Sequence, residues 1–296
     1  MGLGTNFVPK ADVQVFMPAK WTGKVNDFYR AELKAGAFFE DWSEDVGDGA
    51  EIVYRPNITQ MTAEAKTLGS QVVLKTNTET AITLTINVHS HTAFIIEDVL
   101  KSKIAKSYGA QEVYAKNAGY SVAAALEDAI LLLFNGFSQI VGTSALALND
   151  SNIRRAIEYL DTANVPQEDR AFFLHPHVIW SQLMGLSTFQ LVSSTAGADP
   201  VLKGHVAYLY GIPVISTSRL TTTLGHRNGA LAGKSAIAYG TANLSGMGDA
   251  GNTVNKVRIQ TDYLLEYLGD LVVADMMYGV IENRDTSGVW IKAKSS

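Results

Sequence analysis

The sequence has no cysteine, few prolines and few charged residues. Asp, Glu, Lys and Arg make up 18% of the 296 residues, against roughly 25% in an average soluble domain. The lack of cysteine excludes disulfide scaffolds, thiol nucleophiles and thiolate-held metal clusters, so packing must stabilise the fold. A surface this poor in charge is typical of a protein whose exterior is covered by copies of itself or by partners.

Positive charge and long hydrophobic runs are also scarce. The 24 basic residues are outnumbered by 29 acidic ones, and the net charge of -5 argues against a sequence-specific nucleic-acid binder. The longest apolar run, Ala129 to Phe134, is far shorter than the roughly 20 residues that span a bilayer. The N-terminal residues lack a signal-peptide pattern. The sequence therefore predicts a protein made in the cytoplasm, with no membrane partner.

The first 45 residues predict an extended arm with one short helix. The segment from Asn26 to Phe39 places apolar residues among charges at helical spacing. An acidic cluster follows between Glu40 and Glu51. It does not match a calcium-binding loop, because Val46 stands where such a loop needs glycine. We interpret the cluster as a solvated linker.

A long polar loop is predicted next. Strand candidates at 51–56 and 71–75 enclose a polar stretch that has no hydrophobic periodicity. The large apolar residues of this stretch are Ile58, Met61 and Leu68. They are too few to fold a two-stranded ribbon, which is marginally stable by itself. We therefore expect a neighbouring chain to cover the loop.

A strand and a long helix follow the loop. Residues 82–89 alternate strictly and predict a strand with one buried face, formed by Ile82, Leu84, Ile86 and Val88. From about Ser102 to Asn135, apolar residues recur at steps of three, four or seven and predict one long helix. Because Gly109 and Gly119 lower helix propensity, we expect a kink or an interruption near one of them.

The stretch from 146 to 250 predicts a compact α/β unit of short elements, and the rest of the chain predicts long strands. The elements of the unit are helices at 152–160, 176–184 and 204–210 and strands at 171–174, 213–216 and 236–239. The later strands are expected at 254–263, 271–282 and 289–292.

Two glycine-rich stretches imitate nucleotide-binding motifs without the surroundings that such motifs need. Gly246 to Gly251 fits the dinucleotide-binding pattern, but no buried strand precedes it and a β run follows it. Gly229 to Ser235 is one residue too short for a phosphate-binding loop. We therefore expect neither stretch to bind a nucleotide.

No other group of residues predicts catalysis or metal binding. The pairs His89/His91 and His175/His177 lack a third ligand, so we interpret them as structural histidines. Glu127 and Asp128 are adjacent on the predicted helix and face apart, so they cannot act as an acid and base pair. The sequence predicts no enzyme, no cofactor and no metal site.

Three stretches stand in a characteristic order along the chain. They are Phe16 to Trp21 before the arm helix, Val46 to Pro56 at the start of the loop, and Tyr210 to Ser218 in the α/β unit. Together with the segments between them, they resemble the major capsid protein of tailed bacteriophages, which has the Hong Kong 97-type (HK97-like) fold. The resemblance covers nearly the whole chain.

The resemblance implies an α+β, HK97-like capsid fold in five parts. These are an N-terminal arm at 1–45, an extended β loop at 46–80, a peripheral domain with a long spine helix at 81–145, an α/β axial domain at 146–250, and C-terminal strands that return to the peripheral domain at 251–296. Contacts between subunits are expected at Phe16, Trp21, Ile58, Met61, Lys66 and Leu68. No covalent crosslink is carried over, because no matching asparagine and acid can be identified.

The resemblance also implies a function. The chain would be a structural protein that self-assembles as hexamers and pentamers into an icosahedral shell around double-stranded DNA, assembled in the bacterial cytoplasm and located in the virion capsid. Scaffolding, portal and decoration proteins would be its partners. Contacts with DNA would be non-specific and made by scattered cations, namely Lys10, Lys20, Lys24, Lys101, Lys103 and Lys106.

Two alternatives remain at this point. The shell protein of a bacterial encapsulin nanocompartment would keep the fold but enclose a cargo enzyme instead of DNA. An unrelated α/β enzyme, with a site that one sequence does not reveal, would form a small oligomer with turnover.

Overall fold

Two mixed sheets and a separate two-stranded ribbon organise the chain. The structure is a computed structural model and describes residues 30–46, 51–58, 61–76, 79–98, 110–183, 208–223, 225–242 and 257–295. The α-helices in these ranges are α1 (Ala35–Phe38), α2 (Ala110–Leu132) and α3 (Asp150–Thr162). The strands are β1 (Glu40–Asp41), β2 (Ile52–Ile58), β3 (Glu79–Thr85), β4 (Val88–Glu97), β5 (Gln139–Gly142), β6 (Arg170–Leu174), β7 (Tyr208–Leu209), β8 (Ile212–Ser216), β9 (Thr222–Thr223), β10 (His226–Gly233), β11 (Ile237–Ala242), β12 (Arg258–Leu264), β13 (Gly269–Glu282) and β14 (Gly288–Lys294).

The first sheet is built around β13, which has 14 residues. β4 lies along one edge of β13, β12 and β11 lie along the other, and all three are antiparallel to it. β1 extends this sheet by pairing in parallel with β11. Alternate residues of β13 from Val272 to Tyr278 are buried, because this face of the sheet packs against α2.

Helix α2 contributes a buried stripe, as its periodicity predicts. Val122, Leu126 and Ile130 are each at most 3% exposed, and the helix runs without interruption through Gly119. By length and composition, Tyr114–Gly136 would also suffice to cross a membrane, but 44% of its most apolar part is buried inside the protein. This burial against a sheet is that of a core helix.

The second sheet has the order β5–β14–β10–β6–β8–β7, with β9 beside the start of β10. Its centre, β10, contains small residues because neighbouring segments approach closely: a Cβ on Gly229 would lie 2.9 Å from the carbonyl oxygen of Phe173. One face of this sheet joins the core under α2. The other face packs against α3, which begins where the Asn149 side chain accepts a hydrogen bond of 2.9 Å from the Asn152 amide.

Most of the predicted elements are confirmed. α3, β6, β8, β11, β13 and β14 lie within a few residues of their predicted positions, and residues 176–183 are helical, with Val178–Leu183 wound as a π-helix. Helix α2 is confirmed from Ala110 to Leu132, followed by a 3-10 turn at Leu133–Gly136. The predicted interruption at Gly119 is absent, and Gly109 lies outside the described residues.

Two predictions for the first half of the chain are wrong. The arm helix is a single turn, and Arg30 to Lys34 are not helical. The helix begins at Ala35 because the Glu127 carboxylate accepts hydrogen bonds from the amides at the start of that turn. The segment 71–75 has no regular structure, and β2 pairs instead with β3. The apolar residues of the segment 71–75 are consecutive and so cannot share one face of a strand, whereas the apolar residues of β3 alternate.

Further differences from the prediction concern one strand, one predicted helix and the acidic cluster. The alternating strand breaks after Thr85, and Val88 is 39% exposed rather than buried. Tyr208–Leu209 form a strand, not a helix, because Tyr210 and Gly211 have positive φ angles of 51° and 80° and turn the chain back into β8. The acidic cluster is not a simple linker, since β1 pairs with β11 within it.

The remaining differences concern the second sheet. The sequence does not predict β10, because the second half of this strand belongs to the glycine-rich stretch that imitates a phosphate-binding loop. The last strand, β14, lies in the second sheet between β10 and β5. Only β12 and β13 therefore return to the first sheet, and the division into arm, loop, peripheral and axial domains stays a prediction.

A carboxyl pair lies where the chain crosses between the two sheets. The amides of Asn283 and Arg284 donate to the Ala236 carbonyl at 2.8 and 3.1 Å. Asp285 accepts the Ser138 amide at 2.8 Å and also the Ser138 hydroxyl. Burial, followed by a hydrogen bond to Asp285, raises the pKa of Glu282 to about 7. Burial also tends to raise the pKa of Asp285, but the hydrogen bonds from Ser138 outweigh burial and lower the pKa of this carboxyl.

Leu126→Ala should destabilise the subunit by about 2–5 kcal/mol, because it leaves a cavity under α2. Leu132→Ala on the same helix is the matched control: this side chain is 57% exposed, so its removal should change stability by less than about 1 kcal/mol. Urea unfolding of dissociated subunits measures both values. Equal losses for the two variants would contradict the assignment of the buried stripe.

Glu282→Gln should reduce the loss of stability between pH 5 and pH 8. In the wild type, the folded chain holds a proton on Glu282 up to about pH 7, whereas the unfolded chain releases it near pH 4.3. The free energy of unfolding must then fall as the pH rises through this interval. Glutamine keeps a donor for Asp285 without titrating, so the variant should melt at a higher temperature than wild type at pH 8.

Melting curves at pH 5 and pH 8 test this expectation, with Glu158→Gln on the exposed face of α3 as the control. Identical pH slopes for wild type and Glu282→Gln would show that Glu282 does not hold the proton.

Candidate functional site

The base of the ribbon formed by β2 and β3 is fixed to the first sheet. Trp42, Val53 and Leu84 are buried in a small cluster there. The guanidinium of Arg55 lies 4.2 Å from the centre of the Trp42 ring, and its Nε donates to Asp45 at 2.8 Å. These contacts set the direction in which the ribbon leaves the sheet.

Beyond its base, the ribbon exposes an apolar surface. Leu68 is 101% exposed and Leu74 is 92% exposed, so nothing in the described part of the chain covers them. We call the exposed set the ribbon surface: Ile52, Tyr54, Ile58, Met61, Leu68, Val72, Val73 and Leu74. A patch of this kind on a segment without a core of its own is typical of a surface that contacts another molecule.

Polar contacts hold the end of the ribbon together. The Lys75 ammonium donates to the carbonyl and hydroxyl oxygens of Thr62 at 3.1 and 2.7 Å and pairs with Glu64 at 2.8 Å. The Ser70 amide donates to the Thr67 carbonyl at 3.2 Å. The apolar side chains are thus presented on a closed loop.

A second apolar surface lies at the turn between β12 and β13. Tyr263, Leu265, Tyr267 and Leu268, which we call the tip surface, are all exposed. The Tyr263 hydroxyl donates to Asp98 at 2.8 Å, and the Asp98 amide donates to the Leu268 carbonyl at 2.9 Å. The turn is therefore anchored to the end of β4 while its apolar side chains face outward.

A third group of exposed large side chains lies on segments beside the second sheet. It consists of Leu146, Trp180, Tyr208 and Tyr210. The segments that carry them are joined by hydrogen bonds: Gln182 accepts the Leu148 amide at 2.8 Å, and Tyr210 donates to Asp150. This group extends the exposed apolar area to the α/β part of the chain.

The polar groups of the first sheet serve its structure. Asp275 is 4% exposed and accepts hydrogen bonds from Arg258 Nε at 2.9 Å and His89 Nε2 at 3.0 Å. The hydrogen bond from Arg258 outweighs burial and lowers the pKa of Asp275. His89 thus has a structural partner, as the sequence analysis expects of it. In the described ranges, no group of three or more acidic, histidine or cysteine side chains is placed to hold a metal.

A cavity beside α1 is lined by Glu127 and Tyr239, and both of these side chains are hydrogen-bonded to the arm. The carboxylate of Glu127 accepts the amides of Lys34, Ala35 and Gly36 at 2.8 to 3.2 Å. The Tyr239 hydroxyl donates to the Gly36 carbonyl at 2.8 Å, and burial raises the pKa of Tyr239 to about 12. These groups position the arm on the first sheet.

The sequence-predicted contact residues fall into two groups. Ile58, Met61, Lys66 and Leu68 are exposed on the ribbon. Phe16 and Trp21 lie outside the described residues, as do all six cations proposed to touch DNA.

The sequence analysis missed two apolar sets. Val72 to Leu74 were predicted as part of a strand, because adjacent apolar residues resemble a buried strand. The predicted strands at 254–263 and 271–282 leave residues 264–270 between them without an interpretation, although the apolar composition of this turn could have revealed the surface.

Solved structures of phage particles share this fold across nearly the whole chain. A structure from Mycobacterium phage Che8 has a TM-score of 0.77 and 18% identity, and the match covers 93% of this chain and 97% of that one. For the capsid of cyanophage P-SCSP1u the TM-score is 0.75, the identity 15% and the coverage 99% and 100%. For the mature capsid of bacteriophage PhiM1 the TM-score is 0.74 and the identity 11%, and the match covers 95% of this chain and 93% of that one. The predicted HK97-like α+β fold is confirmed.

No protein-family model and no curated protein sequence matches the chain.

Arg55→Ala should loosen the ribbon without unfolding the subunit. The side chain joins Trp42 to Asp45 at the ribbon base, and exposed ion pairs contribute at most about 1 kcal/mol. Amide hydrogen exchange in β2 and β3 should quicken up to about tenfold, while the melting temperature changes by only a few degrees.

Lys75→Ala is the control, because it should speed exchange near the end of the ribbon and leave the base unchanged. Unchanged exchange in β2 and β3 of Arg55→Ala would show that the Trp42 contact does not direct the ribbon.

Proposed function

We propose that this chain is a structural protein that assembles with copies of itself into the shell of a tailed bacteriophage. The ribbon surface carries this proposal, since its large apolar side chains are exposed on a segment that has no core of its own. The HK97-like fold supports it, because capsids of cyanophage P-SCSP1u and bacteriophage PhiM1 have the same fold. In this role the chain forms a wall and catalyses no reaction.

Burial by a neighbouring subunit accounts for the ribbon surface. Covering apolar area contributes roughly 25 cal/mol per Å², so many modest contacts add up to a stable shell. Water exposure of Leu68, Val72 and Leu74 in an isolated chain would favour non-specific association instead. The ribbon is therefore expected to lie on an adjacent copy in the functional state.

The three apolar surfaces belong to different parts of the molecule. The ribbon surface leaves the first sheet at its base, the tip surface lies at the β12–β13 turn, and the third group lies beside the second sheet. Each copy can therefore contact several neighbours at once, which a closed shell of hexamers and pentamers requires. Phe16, Trp21 and Lys66 remain predicted contacts of the same kind.

The finer parts of the proposal concern partners and location. Non-specific contact with double-stranded DNA, scaffolding, portal and decoration proteins, and assembly in the host cytoplasm are what a phage shell of this fold would need. Lys10, Lys20 and Lys24 on the arm remain the cations proposed to approach DNA.

A nanocompartment shell is the alternative, and the fold comparisons do not favour it, because the similar solved structures come from phage particles. The contents of purified particles distinguish the two functions. Nuclease-protected double-stranded DNA supports the phage shell, whereas a co-purifying cargo enzyme supports the compartment. A soluble small oligomer with turnover would support an enzyme.

The combined variant Leu68→Ser, Val72→Ser and Leu74→Ser should fold but fail to build closed shells. These side chains are exposed in the subunit, so their replacement should leave thermal stability nearly unchanged, while each removes apolar area from the contact with a neighbour. Deletion of residues 57–70 should have the same effect. Negative-stain microscopy and sedimentation measure assembly, and circular dichroism measures folding.

Leu132→Ser with Ile140→Ser is the matched control, since both side chains are exposed outside the three apolar surfaces. Normal shells from the ribbon variant, or an unfolded monomer after the deletion, would contradict the proposed role of the ribbon.

A further inference from the structure

The second sheet carries opposite charge at the two ends of its strands. β6 begins directly after Glu168 and Asp169 and ends directly before His175. β10 runs antiparallel to β6, so Arg227 at its start lies at the His175 end. Five residues of strand separate the two ends by roughly 17 Å.

We call the end of the sheet that carries Arg227 and Lys294, next to His175 and His177, the cationic end. Lys294 belongs to it because β14 pairs with β10 and places Lys294 opposite His226. The Gln182 side-chain amide donates to the Lys294 carbonyl at 2.7 Å, which ties β14 to the helix that carries His177.

Arg227 has hydrogen-bonding capacity that the described part of the subunit does not use. Its Nη1 donates to the Thr222 hydroxyl at 2.5 Å. Its Nε is buried without a hydrogen-bond partner, and so is Nδ1 of His177. Among the described residues no carboxylate forms an ion pair with Arg227. Because Nε is covered by the subunit itself, an anion from outside would bind the terminal nitrogens of the guanidinium, which suit a carboxylate or a phosphate.

The positive charge at this end comes from Arg227 and Lys294. Burial, then Arg227, then His177 lower the pKa of His175, and its Nδ1 accepts the His177 amide at 3.0 Å, so this histidine adds no fixed charge. Asp150, at the start of α3, is paired with Arg154 at 2.9 Å and with the Tyr210 hydroxyl. Since no described carboxylate pairs with Arg227, an anion at this end would come from outside the described part of the subunit.

The opposite end of β6 supplies such an anion. Glu168 and Asp169 stand exposed in the 3-10 turn before β6, which we call the acidic end. The nearby Asp161 is already paired with the buried Arg170 at 2.6 Å. Lys234 follows β10 at this end and forms no ion pair with either exposed carboxylate in the described structure. Both carboxylates are thus available to a second molecule.

We propose that the acidic end of one subunit binds the cationic end of the next, with Glu168 or Asp169 accepting hydrogen bonds from Arg227. The inference rests on the proposed shell function and names a contact within it. The two ends are too far apart to meet within one subunit, and each copy has one of each, so the contact repeats head to tail and can close a ring. It also places opposite charges together in copies that each carry a net charge of -5.

A phosphodiester group of the enclosed nucleic acid is the other anion that the cationic end fits. The carboxylates are favoured because the same sheet presents them, exposed and unpaired, in every copy. The experiment below separates the two occupants.

Two variants that reverse one end each test the contact. Glu168→Lys with Asp169→Lys makes both ends basic, and Arg227→Glu with Lys294→Glu makes both ends acidic. Each variant alone should need at least tenfold higher protein concentration to assemble than wild type, because like charges then meet. An equimolar mixture should assemble near the wild-type concentration into particles that contain both variants.

Controls keep the outcome decisive. Glu97→Lys with Glu158→Lys makes the same charge change at two exposed carboxylates elsewhere and should assemble like wild type. Circular dichroism checks folding, and Lys294→Glu alone replaces the second variant if Arg227→Glu unfolds it.

Three results would overturn the proposal: normal assembly of the Glu168/Asp169 variant, failure of two folded variants to co-assemble, or normal assembly of the Arg227/Lys294 variant with loss of binding to a short DNA duplex. The last result would identify a phosphate site. Absence of shells from the wild-type chain would instead count against the proposed function itself.

Discussion

One aromatic cluster joins the parts of this molecule. The Phe173 ring of the second sheet lies 5.3 Å from the Phe39 ring beside α1 and 5.3 Å from the Phe134 ring at the end of α2. Phe134 in turn stacks on Phe137, whose ring leaves no room for a side chain at Gly288, because a Cβ there would lie 2.3 Å away. One set of rings thus fixes the arm, the end of the helix and the start of β14 relative to one another.

This constraint separates the rigid body from the surfaces that project from it. The ring cluster and the buried faces of both sheets hold the subunit together, whereas the described part of the ribbon packs against the first sheet at its base, through the small cluster around Trp42. The exposed side chains of the ribbon and of the β12–β13 turn contribute little to the free energy of unfolding. Changes there can alter association while the core stays intact.

The sequence predicts those elements whose periodicity and end signals agree. α3 has an amphipathic repeat and an asparagine cap, and β13 is long and apolar, so both lie close to their predicted positions. β10 was missed because its residues are small, a choice dictated by the close approach of β6 and not by any local preference. Val72 to Leu74 gave the opposite error: three adjacent apolar residues predict a buried strand, but they are exposed in the subunit.

The cationic end shows why the site is harder to predict than the fold. Arg227 and Lys294 lie on two strands that are far apart in sequence, and His175 directly follows a third; the antiparallel pairing of β10 with β6 and β14 brings all three to one end. Local sequence signals report hydrogen bonding and burial along one element, but not the ends of strands that meet in space. The same pairing places Glu168 and Asp169 at the far end, so the polarity of the sheet, and not any motif, gives the subunit a direction along which copies can be joined.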